Sequence, residues 1–582
     1  MISISGMNWD EIKLNNRIIE KFKTENSYSE VLSKLIILNN FDQTEIHSID
    51  NKIELFNPFL KKNDFIESQK ILENSLKSHG KILIIGDYDV DGCVATSLFI
   101  RFLKKVNKSY TYYIPNRFKD GYGASLAVIK KLIKEKIELV IMLDCGSNSI
   151  QAVNYLNKNK IKTLIIDHHE IYKPYPKSTS LINPKKNCDY NDLDYLCSSS
   201  LTYYFIDSFI KKKSLKLNFE ENLIYVLLAT ISDVMPLRKL NRYLCKYILP
   251  SNYLRNNKIL KKIFNIKKIN RPISLDDFGF LFGPILNSAG RIKDANIVVE
   301  LLTSQNEDEI DKILNKLINF NEKRKLIEND IINDFEIDKL NKNNNEIIFE
   351  YKKIFNEGLI GIIASRLKEY FNKPAIILTK SNNIFKASAR STSNFNIGIH
   401  IKNAVDKDIL ISGGGHNLAA GFLVKKEKIN DFKSFINTIY LKNKKPNIKK
   451  YLSKISIEAI NNKFYNELYR LAPFGPGNEK PLFLIENIKI IKPKILKDKY
   501  VSFYIKSKSN RFIQGISFGH IGSKLNSYLL NNKKQTNLIV EINENFWNNK
   551  KFLQINAIDA IEISNKAWLI IIFTIKNSNS VP

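Results

Sequence analysis

Asp87, Asp89 and Asp91 recur at alternate positions in IIGDYDVDG, directly after the apolar run KILII. Asp144 closes a second apolar run, ELVIML, and Asp167, His168 and His169 close a third, TLII. Asp233 follows a fourth, LIYVLLATIS, read here as one more strand. A single Asp after a strand commonly caps the next helix. Acids at the ends of several strands imply more, because ligands of an open parallel sheet bind beyond the carboxyl ends of its strands. Residues far apart in sequence then converge in one cleft, where uncompensated carboxylates repel and raise one another's pKa. Divalent cations remove that repulsion, and oxygen ligands with one imidazole suit Mg²⁺ or Mn²⁺. The first turn is no dinucleotide fingerprint: GDYDVDG lacks G-x-G-x-x-G, and three carboxylates would repel a pyrophosphate. Ser198, Ser199 and Ser200 make no Ser-His-Asp set, because the His residues considered belong to the acidic cluster.

The surrounding pattern supplies the strands this chemistry needs. From about residue 71 to 250, short apolar runs (KILII, SYTYYIP, ELVIML, TLII) alternate with helical periodicity (VATSLFIRFLKK, SLAVIKKLIKEK, SIQAVNYLNKN). That is the pattern of a parallel α/β sheet buried on both faces. Residues 1–70 read as a helical segment, and 251–340 as a helical linker ending in one long helix. A second, smaller α/β unit covers 341–445, where Gly413, Gly414 and Gly415 are expected to form a tight turn. From 451 to 582 the runs PLFLIENIKI, YVSFYIKSK, FIQGISFG, TNLIVEINEN and KFLQINAIDAIEI suggest a small barrel of the OB type, with Phe503, Tyr504 and Trp547 as exposed aromatics.

A length of 582 residues exceeds one hydrophobic core, in keeping with several domains. Apolar residues make up 44% and charged residues 26%, which excludes wholesale disorder. No run is long enough for a membrane helix, the start MISISGMNWDEIK does not resemble a secretory signal, and the cytoplasm is the default compartment. The formal charge of +31 favours nucleic acid as a partner. It is spread along Lys–Asn–Ile-rich stretches, a usage that AT-rich codons also produce. The five cysteines (Cys93, Cys145, Cys188, Cys197 and Cys245) form no C-x-x-C and read as thiols of a reducing compartment, not as a zinc site.

The motifs together resemble the DHH phosphoesterase superfamily, and within it the RecJ family of single-strand-specific 5′→3′ DNA exonucleases. IIGDYDVDG, PNRFKDGYG, LDCG, LIIDHHE, INP, ISDVMPL, GFLFGPILNSAGRI, GLIGIIASRLKEYF, KASARS, GGGHNLAAGF and LAPFGPGNEKPLF occur in that family's order, over roughly residues 50 to 520. The resemblance implies a parallel-sheet DHH domain, a smaller α/β DHH-associated (DHHA1) domain and a C-terminal OB-like β-barrel. It implies two divalent metal ions held by Asp89, Asp91, Asp144, His168 and Asp233, with Asp87 and Asp167 in support. His169 then lies beside the cluster, within reach of the scissile phosphate or of a ligand. Arg117, Arg291, Ser388, Arg390, Gly414, Gly415 and His416 are implied to bind the DNA backbone and its 5′ end, with Tyr122 and Phe118 as candidate stacking surfaces. Arg366 reads as a structural ion pair.

Four positions depart from the family pattern. Cys145 stands where Asn is common, and LCSSSLTYY replaces a Gly-rich segment. Ile285 in GPILN replaces an Arg expected to bind phosphate, and KASARS replaces a more Gly-rich run. The implied function is release of mononucleotides from single-stranded DNA in repair and recombination, with single-strand-binding protein or a RecQ-type helicase as partners. Two alternatives stay open: a DHH phosphodiesterase of short oligonucleotides or cyclic dinucleotides, and a non-catalytic DNA-binding scaffold.

Overall fold

The computed structural model describes residues 1–51, 55–133, 136–186, 192–333, 346–351, 357–381, 384–443, 448–497, 499–507, 509–519, 522–547 and 550–563. The chain forms two units: Met1–Ile53 together with Pro446–Pro582, and Glu54–Lys445. The strand β1 (Asn8–Glu11) belongs to the first, while β2 (Lys81–Ile85) opens the sheet of the second.

That sheet continues with β3 (Tyr110–Tyr113), β4 (Ile137–Leu143), β5 (Lys162–Ile166) and β6 (Ser180–Ile182). All pair in parallel, in the order β3-β2-β4-β5-β6. β2, β4 and β5 are buried at almost every position, as their unbroken apolar runs require. The chain winds outward from β2 in one direction and then from β4 in the other. The topological switch therefore falls between β2 and β4, where such sheets open a ligand crevice.

Helices α1 (Val90–Lys105) and α2 (Ser198–Lys212) pack in this unit with α3 (Leu223–Ser232). The LIYVLLATIS run expected as a strand is α3, so Asp233 follows a helix. Eight of its ten residues are buried, and a run apolar on every side carries no period by which helix and strand differ. A π-helical turn, Phe278–Phe282, leads into α4 (Gly283–Ile292), and α5 (Glu307–Asn333) is the long helix the sequence announced.

The same unit carries a second sheet of β7 (Ile348–Tyr351), β8 (Ala375–Ser381), β9 (Ile384–Arg390), β10 (Ser412–His416) and β11 (Ala419–Lys425), ordered β10-β11-β9-β8-β7. Helices α6 (Ile360–Phe371) and α7 (Ile397–Asp406) accompany it. The three glycines expected as a turn lie within β10, paired with β11 from Ser412↔Leu423 to His416↔Ala419. Two of the three are crowded: a Cβ on Gly413 would meet Phe422 and Ile401, and one on Gly415 would meet the Ala419 carbonyl oxygen at 2.3 Å, while Gly414 faces open space.

In the other unit, β14 (Phe483–Leu496), β15 (Tyr500–Lys506), β16 (Phe512–Ser517), β17 (Gln535–Trp547) and β18 (Lys550–Glu562) close a five-stranded barrel. Closure runs β14-β15-β16-β18-β17 and back through a β14–β17 pairing, and the short strand β13 (Ser453–Lys454) pairs in parallel with β14. The N-terminal segment is part of this unit down to residue 53. Leu32, Leu35 and Ile36 share a core with Phe483, Val501 and Leu538, β1 pairs with the strand β12 (Ile448–Tyr451), and the buried Trp9 indole donates to Asp559 at 2.9 Å. Phe503, expected to be exposed, is fully buried against Gly515, while its neighbour Tyr504 is exposed. Adjacent strand residues face opposite sides, so the two could not share one surface. The side chain of Trp547, like Cys188, lies outside the described residues. No helix among the described residues is long and apolar enough to cross a membrane.

Candidate metal centre and anion site

Each acid of the cluster sits at the end of an element directed to the switch point. Asp87, Asp89 and Asp91 follow β2, and Asp89 caps α1 by accepting from the Gly92 N–H at 3.0 Å. Asp144 follows β4 with φ +61°, a left-handed conformation that Asp tolerates better than most residues. Asp167, His168 and His169 follow β5, and Asp233 closes α3.

Three groups of side chains in this cluster could each hold an ion. They are Asp87 with Asp89 and Asp144, Asp91 with His168 and Asp233, and Asp144 with His168 and His169. Within each group the candidate ligand atoms lie within 4.8 Å of one another. His168 Nε2 stands 3.4 Å from both Asp144 Oδ1 and Asp233 Oδ2, and 3.7 Å from Asp91 Oδ2.

The electrostatics call for a cation. Burial, then the charges of neighbouring acids, push Asp87, Asp144 and Asp233 well above the usual carboxylate range. Burial, only partly opposed by Asp91, drops His168 to about 4 and leaves it neutral, as a metal ligand must be. Both carboxylate oxygens of Asp144, Oδ1 of Asp87 and Nδ1 of His168 are buried with no hydrogen-bond partner. Orphaned buried acceptors of this kind are costly, and a divalent ion is what these donors fit.

Asp167 and His169 form a different kind of pair. Asp167 Oδ1 accepts from His169 Nδ1 at 2.8 Å, and its Oδ2 accepts from the Ser147 N–H at 3.0 Å. Burial acts against charge on both, but the pair outweighs it: Asp167 is held below the usual carboxylate range and His169 is raised to about 9. In the metal-free protein this pair favours the protonated form of His169.

The backbone supplies one contact the sequence only hinted at. The N–H groups of Ser198 and Ser199, in the first turn of α2, donate to the two oxygens of Asp91 at 2.8 and 2.9 Å. The departure to CSSS keeps these donors because they belong to the main chain. Two other departures, Cys145 and Ile285, are buried, with the Cys145 thiol beside the Ile85 and Gly86 carbonyls. The loss of an expected phosphate-binding Arg at 285 is thus a change in the core.

A second constellation gathers around Gly358, just before α6. Arg117 and Arg291 donate to its carbonyl at 3.4 and 3.2 Å, and a Cβ on Gly361 would lie 3.1 Å from Arg390 and 3.3 Å from Ser388 Oγ. Ser388 and Arg390 share a face of β9 because they are two residues apart. Burial, then the charges of Arg117, Arg324 and Arg390, pull Arg291 down to about 10. Like charges held together at a helix N-terminus could receive an anion, and guanidinium forks match a phosphate. Sequence reasoning missed Arg324, which contributes charge here while pairing with Glu328 at 2.9 Å. Arg366 also pairs with Glu328, at 2.8 Å.

The two constellations adjoin. Arg117 lies 4.2 Å over the ring of Tyr88, the residue between Asp87 and Asp89, and Gly290 packs on the Tyr88 carbonyl. Tyr122 donates to the Asp144 carbonyl at 3.1 Å and touches His169. His416, with the open Gly414 and the crowded Gly415 before it, stands 3.7 Å from Glu170, the residue after His169. Asn183, from INP, also escaped notice as a functional residue; its amide donates to Ser147 Oγ and the His169 carbonyl.

Comparison with known proteins agrees with this layout. Three family descriptions match: "DHH family, N-terminal domain" over residues 81–231, "DHHA1 domain" over 344–442, and "RecJ OB domain" over 453–559. The chain is similar to the single-stranded-DNA-specific exonuclease RecJ of Bacillus subtilis, with 25% identity covering 96% of this chain and 71% of the relative. The protein of that name from Escherichia coli is 28% identical, covering 64% of this chain and 69% of its own. In fold, the chain resembles RecJ of Thermus thermophilus crystallised with Mn²⁺, at a TM-score of 0.79 and 20% identity, covering 96% of this chain and 80% of that one. The Mg²⁺ complex of the same protein gives a TM-score of 0.72 at 19% identity, covering 96% and 79%.

Proposed function

We propose, from the premise that this chain belongs to the RecJ family of DHH phosphoesterases, that it is a metal-dependent exonuclease of single-stranded DNA. We assign it to the 5′ end, with release of mononucleotides. The observation that carries this reading is the buried, unpartnered set of oxygens on Asp144 and Asp87 beside neutral His168.

Asp89, Asp91, Asp144, His168 and Asp233 would hold two divalent ions, Mn²⁺ or Mg²⁺. Once bound, such a pair supplies an activated water and neutralises the charge of the leaving oxygen. The remaining work falls to the chain itself. Asp87 adds charge at the end of β2. Asp167 fixes the proton on His169 Nδ1 and so keeps a cation beside the scissile phosphate. The first turn of α2 locks the Asp91 carboxylate in one orientation.

Arg117, Arg291 and Arg390, with Ser388, would grip the terminal 5′-phosphate, and His416 and the Gly414–Gly415 backbone the phosphate that follows. Because Tyr88 and Gly290 join the two constellations within a residue of each, a strand anchored by its 5′-phosphate presents an adjoining phosphodiester to the metals. That proximity supports mononucleotide release. A place in repair and recombination, in the cytoplasm and with single-strand-binding protein or a RecQ-type helicase as partners, belongs to the same proposal.

The test is digestion of oligonucleotides labelled at either end, single-stranded or blunt duplex, with Mn²⁺, Mg²⁺ or EDTA. Single strands should lose mononucleotides from the 5′ end only, and EDTA should stop the reaction. Arg291→Ala should lower the preference for 5′-phosphate over 5′-hydroxyl ends by about tenfold or more, the value of a charge-assisted hydrogen bond. Digestion from 3′ ends, or efficient attack on blunt duplex, sinks the reading.

A further inference from the structure

Phe280 is the most exposed large hydrophobic residue among those described, with 84% of its surface accessible. It sits in the π-helical turn Phe278–Phe282, whose flanking residues Phe278 and Phe282 are fully buried. A π turn inside a helical run widens it by one residue, and such turns recur at functional sites. Here the turn holds an aromatic ring in solvent between two anchors in the core.

A second exposed apolar side chain belongs to the element next to it. Val234 follows Asp233 with φ +57° and is 67% exposed. It closes α3: the Val234 N–H donates to the Ile231 carbonyl at 3.2 Å and the Met235 N–H to the Thr230 carbonyl at 3.1 Å. Glycine or asparagine usually fills that left-handed position, and for a β-branched residue it is strained. The π turn meets this helix end directly, since a Cβ on Gly279 would lie 3.4 Å from Ile231 and one on Gly283 would lie 2.6 Å from Ser232 Oγ.

Helix α4 places these residues relative to the chemistry. At its C-terminal end Arg291 joins the anion site. One residue earlier, Gly290 packs on the Tyr88 carbonyl, and Asn287 Oδ1 accepts from the Val90 N–H at 3.2 Å, next to Asp89. At about 1.5 Å per residue, Phe280 lies roughly 10 Å beyond Asn287 and 16 Å beyond Arg291 along the axis. One helix thus meets the anion site, the metal centre and Phe280 in that order.

We infer that Phe280, with Val234 on the adjoining helix end, is a stacking platform for the unpaired bases that follow the cleaved bond on the 3′ side. The inference rests on the nuclease reading above and adds to it a determinant of strand form and length. A strand held by its 5′-phosphate at Arg291, with its bond at the metals, runs on past Phe280 within about two nucleotides. An aromatic face binds any unpaired base, whereas bases already paired and stacked in a duplex offer no free face to it.

The test compares kcat/KM of the full-length protein with Mn²⁺ on 5′-phosphorylated oligothymidylates of two and eight nucleotides. Phe280→Ala should lower the octanucleotide-to-dinucleotide ratio about tenfold, within the range that loss of one base–aromatic stack produces. Phe280→Trp should restore the ratio, which a purely structural role for the side chain would not predict. Anisotropy of a labelled octanucleotide in EDTA should show the same weakening without turnover. An unchanged ratio, or equal losses at both lengths, overturns the platform while leaving the nuclease reading intact. If Phe280→Ala instead dissociates a dimer seen by light scattering, the face is a contact between copies and the platform is equally refuted. A wild-type protein inert on both lengths defeats the nuclease reading and this inference with it.

Discussion

Replacing Asp144 by Asn should make the metal-free protein more stable while removing its activity. The substitution keeps size and tolerates φ +61° as well as Asp does, so the backbone does not confound the outcome. The ligand atoms of Asp87, Asp89 and Asp144 lie within 4.8 Å of one another. At an effective dielectric of about 20, each such pair of charges repels by roughly 3.5 kcal/mol. Against this stands one attraction, to His169 at 3.7 Å, worth about 4.5 kcal/mol on the same scale. Two repulsions exceed one attraction by about 2.5 kcal/mol on this scale, and Asp91 and Asp233 add to the repulsive side. Proton uptake relieves part of the strain in the wild type, and its sign can be checked. The folded pKa values of Asp87, Asp144 and Asp233 are raised, so their contribution to stability is full below the unfolded value near 3.8 and is lost as pH rises through the folded values. In EDTA, the wild type should therefore lose stability from mildly acidic to neutral pH, and Asp144→Asn should show a shallower decline. The assay is thermal or urea unfolding across pH, with EDTA and with Mn²⁺. The variant should unfold a few degrees higher in EDTA, gain less from Mn²⁺, and lose at least about a hundredfold in turnover. A variant that unfolds lower in EDTA yet keeps the full stabilisation by Mn²⁺ would refute the argument that these carboxylates repel and await a cation.

Three further outcomes follow from the geometry. Asp167→Asn should lower the His169 pKa from about 9, by about one to three units, and move the alkaline limb of the pH–rate profile with it; the raised His value stabilises the fold fully below about 6.5 and is lost through about 9, so NMR titration and unfolding at alkaline pH should shift together. An unmoved limb rejects that role. Ser198→Pro should reduce activity by about tenfold or more while Ser198→Gly retains it, because the Asp91 contact is a main-chain N–H and proline is tolerated in a first helical turn; equal activity of the two variants would show the contact to be dispensable. A fragment of residues 54–445 should fold and retain metal-dependent cleavage of short oligonucleotides, with weaker, less salt-dependent binding of long strands, whereas residues 1–445 should aggregate because Leu32, Leu35 and Ile36 lose their barrel core. Equal solubility of the two fragments argues against a shared core.

Local pattern determined the chemistry and most of the strands. Apolar runs ending in Asp are visible in a single sequence because strand burial is written residue by residue, and the parallel α/β sheet follows from their alternation with amphipathic helices. D-x-D-x-D, LD and DHH name the acids of the cluster for the same reason. What local pattern could not decide is the direction of a run apolar on every side, and so LIYVLLATIS is a helix and Asp233 a helix-end acid. Nor could it decide which of two adjacent aromatics faces inward. Phe503 is buried over Gly515, whose missing Cβ leaves room for its ring, and Tyr504, one residue on, faces the other side of the strand. The backbone clasp of α2 on Asp91 and the arginines around Gly358 depend on contacts between residues tens to hundreds of positions apart. The same holds for residues 1–53, whose apolar positions complete a core built more than four hundred residues later. A sequence records which side chains prefer burial or charge; only the closed tertiary structure sets which partner each one meets.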